Sequence, residues 1–341
     1  MMHLSMDVWI GIGLALIAGV MAGNSMLPMK FAKRWSWENT WLVFSVVSLV
    51  VIPWCLAVGA VDNLSSVYRS LSVGQLAVPF LFGAGWGIAQ VLFGLSIARL
   101  GLALGYAIII GLGTVGGTLV PLIFQHREVL LTGKGLLILS GLVIMVAGIV
   151  AASWAGNLRE KHAGAKAIVP GRDTNYGASV LLAVICGLMA PMLNYSLAFG
   201  QSIAEEAVRQ GATAANASYA VWPVGLAGGL IPNAAYSVYL LWRNHTWSNF
   251  RHLTPGVYWA ALMGGLWMGA VATYGVSTTL LGALGTSIGW ALFQIFMIMA
   301  ANVSGVVTGE WKGARQRARN LLWASLLLLA LATVIIALAN R

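Results

Sequence analysis

Charge is what this sequence has least of. Only 8% of its 341 residues are Asp, Glu, Lys or Arg, nine acids against nineteen bases, while 59% are hydrophobic and the mean hydropathy is +0.85. A water-soluble fold cannot hide that much apolar surface, so the composition excludes a soluble enzyme or binding module and points to an all-α polytopic membrane protein. Cysteine is nearly absent. Cys55 and Cys186 both lie in apolar runs and read as packing thiols, not as a disulfide framework or a metal site. His126, His162, His245 and His252 fall in loops or at helix ends without metal-ligand spacing, and no Ser/His/Asp or Cys/His constellation can be drawn at membrane depth. No enzyme, cofactor or metal is expected. Residues 111–116 (GLGTVG) match a dinucleotide fingerprint, but inside an apolar helix with no preceding strand. The net charge of +10 is dispersed over short loops, which excludes a nucleic-acid face and makes it an orientation signal.

What the chain does have is long apolar runs. Ten are predicted to span a membrane, at 8–27, 40–60, 74–98, 102–124, 135–154, 177–203, 216–242, 256–279, 285–307 and 320–339; a helix needs about 20 residues to cross roughly 30 Å of hydrocarbon. No basic stretch precedes the first and no cleavage site follows it, so it reads as a retained helix. The segment 155–176, the most polar of its length, reads as a cytoplasmic linker dividing the chain into repeats of five helices, 1–154 and 177–341.

The halves echo each other. Residues 83–124 carry ten glycines and a single formal charge, Arg99, and a related pattern returns at 264–311. A shift of 181 pairs Gly83 with Gly264, Trp86 with Trp267, Gly94 with Gly275 and Gly101 with Gly282. A shift of 168 lays 14–23 (LALIAGVMAG) over 182–191 (LAVICGLMAP) with six identities. Five is odd, so the second half enters the membrane from the opposite side, an inverted-topology repeat of the kind that puts a transporter's site between its halves. Connections after the odd-numbered helices carry fourteen Lys and Arg, and the remaining segments carry five. That bias sets the odd connections in the cytoplasm and both termini outside.

No charged residue falls at the middle of a span; Lys30, Glu38, Arg99, His126 and Glu310 mark the ends. Anionic and cationic substrates call for a buried countercharge, so a neutral substrate is expected. The polar groups within the spans are amides, hydroxyls and aromatics: Asn24, Trp86, Gln90, Tyr106, Asn194, Trp267, Tyr274, Trp290 and Gln294, with Thr278 on the face of Trp267 and Tyr274. Amides that donate and accept, beside aromatic faces, suit a ring bearing several hydroxyls. The competing reading for each is a helix-to-helix hydrogen bond. Trp35, Trp37, Trp41 and Trp311 are expected in the interfacial belt.

Five plus five helices with cytoplasmic odd loops resemble the drug/metabolite transporter superfamily. Within it, residues 28–38 (PMKFAKRWSWE), 81–87 (LFGAGWG), 99–101 (RLG), 117–121 (GTLVP) and Glu310-Trp311 resemble the bacterial L-rhamnose–proton symporters. The chain departs from them at 268–272 (MGAVA), where more polar residues would be expected. The resemblance implies an inner-membrane, multi-pass carrier with periplasmic termini that imports a neutral 6-deoxyhexose, L-rhamnose or a relative, with H+ as the coupling ion and the sugar and the bilayer as its partners. A symporter needs a titrating group; Glu38, beside Lys30, Lys33 and Arg34, is the candidate, against a solvated carboxylate paired with those bases. An exporter of amino acids or other metabolites and a non-transporting sugar receptor are the alternatives. The lack of buried charge counts against zwitterions and the repeat against a receptor.

Overall fold

In the computed structural model, residues 6–162, 176–251 and 253–340 are described. Ten helices there are long and apolar enough to cross a membrane. They are α1 (Met6–Asn24), α2 (Trp37–Ala60), α3 (Val73–Leu100), α4 (Leu102–Gln125), α5 (Gly133–His162), α6 (Tyr176–Arg209), α7 (Val221–Arg243), α8 (Leu253–Leu280), α9 (Gly285–Val307) and α10 (Gln316–Leu338). A short helix, Leu64–Ser70, lies between α2 and α3. Of the expected linker, 163–175 lies outside the described residues, as does His252.

Long aliphatic side chains cover the outside. Leu136, Val143 and Val150 on α5 and Leu327, Leu331 and Val334 on α10 are exposed. So continuous an apolar surface matches hydrocarbon as solvent, and helices satisfy their backbone groups internally there. The protein is a multi-pass membrane protein.

Two predicted spans differ in a way that matters for the site. The expected helix 177–203 is broken into Tyr176–Met189, Met192–Ala198 and Gln201–Arg209. Pro191 has no N–H to continue the ladder, and Gly200 interrupts it again nine residues later. The expected helix 135–154 runs on to His162, because the polar stretch after Trp154 is still helical, and this carries Arg159 along the end of α5. In α2 a π turn at Val47–Val51 stands just before Pro53. A proline cannot donate to the turn before it, and a local widening accommodates the loss.

Packing follows the small residues. α3 lies closely along α7, α1 against α8 and α9, α6 against α3 and α4, and α5 against α10. A Cβ on Gly83 would stand 1.7 Å from the carbonyl oxygen of Gly225 on α7. Only glycine allows that approach, so Gly83→Leu is expected to cost roughly 3 kcal/mol or more, read as a lower melting temperature and loss of the monodisperse peak in detergent. The turns joining α3 to α4 and α8 to α9 each hold a glycine in the left-handed region, Gly101 at φ +80° and Gly282 at φ +77°, a conformation that side chains with a Cβ disfavour.

Candidate binding site

Aromatic side chains meet where the central helices converge. Trp86 of α3 and Trp267 of α8 stack with ring centroids 5.2 Å apart and planes 22° from parallel. Tyr274 packs 5.9 Å from Trp290 and 5.1 Å from Phe293, and Trp86, Trp267, Tyr274, Trp290 and Phe293 belong to one continuous apolar cluster. The unwound course of α6 sets Asn194 among them. Its Nδ2 donates to the carbonyls of Gly117 (2.8 Å) and Thr286 (3.0 Å), and its Oδ1 accepts from the Tyr274 hydroxyl. The Trp290 indole N–H donates to Gly113 O at 3.1 Å. Asn194, Tyr274 and Trp290 therefore tie α4, α6, α8 and α9 together with their hydrogen bonds already made.

The remaining candidates are differently placed. Gln294, only 6% exposed, and Gln90, half-buried one turn from Trp86, have no hydrogen-bond partner among the described residues, and neither do the polar atoms of Trp86, Trp267 and Tyr106. Tyr106 packs edge-on to Phe93 of α3, ring centroids 6.4 Å apart. Asn24 stands apart at the end of α1, its amide donating to Val20 O. Five of the nine predicted polar residues thus keep free donors or acceptors, four of them through Trp or Gln groups that can turn to a ligand.

A cluster of three charges stands at one end of the bundle. Lys30, in the 3-10 turn after α1, contacts Glu310 at 2.6 Å; Arg159 of α5 contacts the other Glu310 oxygen at 3.0 Å and lies 5.0 Å over the ring of Trp311. The hydrogen bond from Lys30, reinforced by the positive charges of Lys30 and Arg159, holds the Glu310 carboxyl below its usual range despite partial burial.

The model of the L-rhamnose-proton symport protein (RhaT) family matches residues 4–340. The chain belongs to that family. It is 28% identical over 342 residues to an L-rhamnose-proton symporter of Mannheimia succiniciproducens, covering 97% of this chain and 98% of the relative. It is 29% identical over 323 residues to the L-rhamnose-proton symporters of Shigella boydii and Escherichia coli, covering 92% of this chain and 93% of each relative. The RhaT family is one of transporters, not enzymes.

Against this RhaT frame, three expectations from sequence change. Glu38 is not a solvated carboxylate paired with Lys30, Lys33 and Arg34. It is only 4% exposed and accepts hydrogen bonds from Thr246 Oγ1 (2.6 Å) and Asn244 Nδ2 (3.1 Å) in the α7–α8 connection. Asn39 beside it donates to Thr246 O, so this connection grips the start of α2. Trp35 and Trp311 are buried rather than interfacial, the first against Gly256 of α8 and the second beneath Arg159. Cys186 is buried, its thiol donating to Ala89 O, but Cys55 is exposed on the outer surface. Sequence reasoning missed Arg159 as a partner of Glu310. A separation of 151 residues leaves no local spacing to read.

Proposed function

We propose that this RhaT-family chain imports L-rhamnose together with protons by alternating access of two inverted five-helix repeats, 1–154 and 177–341. The observation that carries the sugar reading is the pair of glutamine amides without hydrogen-bond partners among the described residues, Gln90 one turn from the stacked Trp86 and Gln294 one turn from Trp290, next to an aromatic cluster that itself contains no charged residue. An amide partly withdrawn from water and without a partner forgoes a hydrogen bond worth about 0.5–1.5 kcal/mol. A polyhydroxylated ring recovers that cost by donating and accepting at once, and its C–H faces pack on indole.

The packing supports the repeat. Advancing every helix by five turns the contacts of α1 with α8 and α9 into those of α6 with α3 and α4, and the α3–α7 contact into the α8–α2 contact. Trp86 and Trp267, paired by the shift of 181, stack on each other, and Gly101 and Gly282, paired by the same shift, share the left-handed conformation. Such pairing fits rocking of one half against the other. With the basic odd connections in the cytoplasm, the Lys30–Glu310–Arg159 cluster closes the inner end, the termini are periplasmic, and the structure is outward-facing.

Glu38 is the proton-responsive group in this reading. It is a buried carboxylate held by neutral donors with no cation among its partners in the described residues, so a proton changes what it can accept and loosens the α7–α8 connection on α2. The test is uptake of radiolabelled L-rhamnose into proteoliposomes with and without an inward proton gradient. Gradient-driven accumulation above equilibrium is expected, and uptake that ignores the gradient would sink the coupling. Glu38→Gln keeps an acceptor but cannot carry the proton; it is expected to abolish accumulation while leaving sugar exchange at equilibrium intact. A variant that still accumulates L-rhamnose removes Glu38 from the coupling.

A further inference from the structure

At the end of the bundle opposite the charged cluster, a cavity of about 250 Å³ opens between the last piece of α6, the short helical segment 214–218 that leads into α7 and the α8–α9 turn. It borders the aromatic centre through Leu197 and Ala217, which belong to the same apolar cluster, and through Thr286, whose carbonyl holds Asn194. Its polar lining is Gln201, Glu205, Ser218, Thr278, Thr279 and Thr286. Thr278 and Thr279 each donate a hydroxyl to Gly275 O, so their oxygens remain free to accept. Ser218, 4% exposed in the cavity wall, has a buried hydroxyl with no partner among the described residues.

The chemistry of the lining selects a ligand class. One carboxylate, one amide and four hydroxyls offer acceptors and donors in mixture, and the described lining residues include no cation to meet an anion or a zwitterion's carboxylate. The volume is below the roughly 300–1,000 Å³ of pockets for drug-sized ligands and suits one monosaccharide ring.

We propose that this cavity is a second, outer sugar-binding subsite, at which L-rhamnose is held by Gln201, Glu205 and the threonine hydroxyls before it passes Thr286 to the aromatic centre. The proposal rests on the sugar-import reading above. Along this route the first turn of α9 and the middle piece of α6 meet at Thr286, whose carbonyl accepts from Asn194 and Tyr274, so passage parts these contacts. Two sites in series keep sugar concentrated at the mouth of the path while the centre is turned inward.

The test uses the full chain with Cys55 and Cys186 replaced by serine and a single reporter, Ala283→Cys, on the exposed rim of the cavity. L-rhamnose at about ten times its dissociation constant is expected to slow maleimide labelling of the reporter about tenfold, by mass action. The protection is expected to persist when Gln90 and Gln294 are both alanine and to fall when Glu205→Gln and Gln201→Ala are combined. Protection that disappears with the central pair, or that never appears while the same preparation transports L-rhamnose, overturns the subsite. Lack of both transport and protection overturns the substrate reading instead.

Discussion

Replacing Gln90 and Gln294 together by alanine is expected to lower the efficiency of L-rhamnose uptake about a hundredfold while leaving thermal stability unchanged or slightly raised. Each amide contributes about 1–1.5 kcal/mol through a neutral hydrogen bond to the sugar, and every 1.4 kcal/mol is about tenfold in affinity. Neither amide has a hydrogen-bond partner to lose among the described residues, so the fold gives up no hydrogen bond. Asn194→Ala is the contrasting variant. It strips the side-chain donor from Gly117 O, where Pro121 four residues on supplies no N–H, and leaves the Tyr274 hydroxyl only its 3.5 Å contact with Thr286 O, and stranding buried groups costs about 1–3 kcal/mol each. Its melting temperature is therefore expected to fall by many degrees, with uptake lost as a consequence. Uptake titrations in proteoliposomes and thermal melts in detergent separate the two behaviours. Wild-type uptake by the double glutamine variant would remove the amides from the sugar path.

Reversing one charge of the inner cluster is expected to lower accumulation of L-rhamnose at least about tenfold, and reversing two is expected to restore part of it. Lys30 and Glu310 are well exposed, so their attraction is screened and worth no more than about 1 kcal/mol. Glu310→Gln is accordingly mild. Lys30→Glu is not, because it sets two carboxylates together, and about 1.4 kcal/mol against the closed arrangement shifts a two-state ratio about tenfold. The combined Lys30→Glu, Glu310→Lys exchange rebuilds the attraction at 2.6 Å but turns an ammonium toward Arg159, which is why rescue is partial. The Glu310 carboxyl is held below its ordinary value of 4.5 by Lys30. A depressed carboxyl contributes stability that is present above its unfolded value and lost as pH falls through the folded one. The cluster therefore stays closed through neutral pH and weakens only in acid below that value. Accumulation measured from pH 7.5 to 5.5 should show no step from Glu310; a step near neutrality that vanishes in Glu310→Gln would contradict this.

The legible part of the protein was what periodicity and local chemistry encode. Each of the ten spans answers to an apolar run, since a backbone in hydrocarbon has to satisfy its hydrogen bonds within itself. The polar residues within those runs were equally visible. What they do was not, because Asn194 and Gln294 look alike in a helix of small and apolar neighbours. The amide of Asn194 is consumed by carbonyls 77 and 92 residues away, and that of Gln294 is not. Glu38 illustrates the same limit. Its sequence neighbours are bases, yet its partners, Thr246 and Asn244, lie more than 200 residues on.

By itself, then, the sequence determined the membrane, the number of spans, the neutral polar residues within them and, through its motifs, the RhaT family. Hydropathy and residue type act along the chain and survive without coordinates. Tertiary structure decided which amides lack partners among the described residues, which carboxylate is buried, where α6 breaks around Asn194 and which three charges meet at one end. Those are properties of contacts between distant segments, set by how closely glycine-lined helices approach, and no window of sequence contains both sides of such a contact.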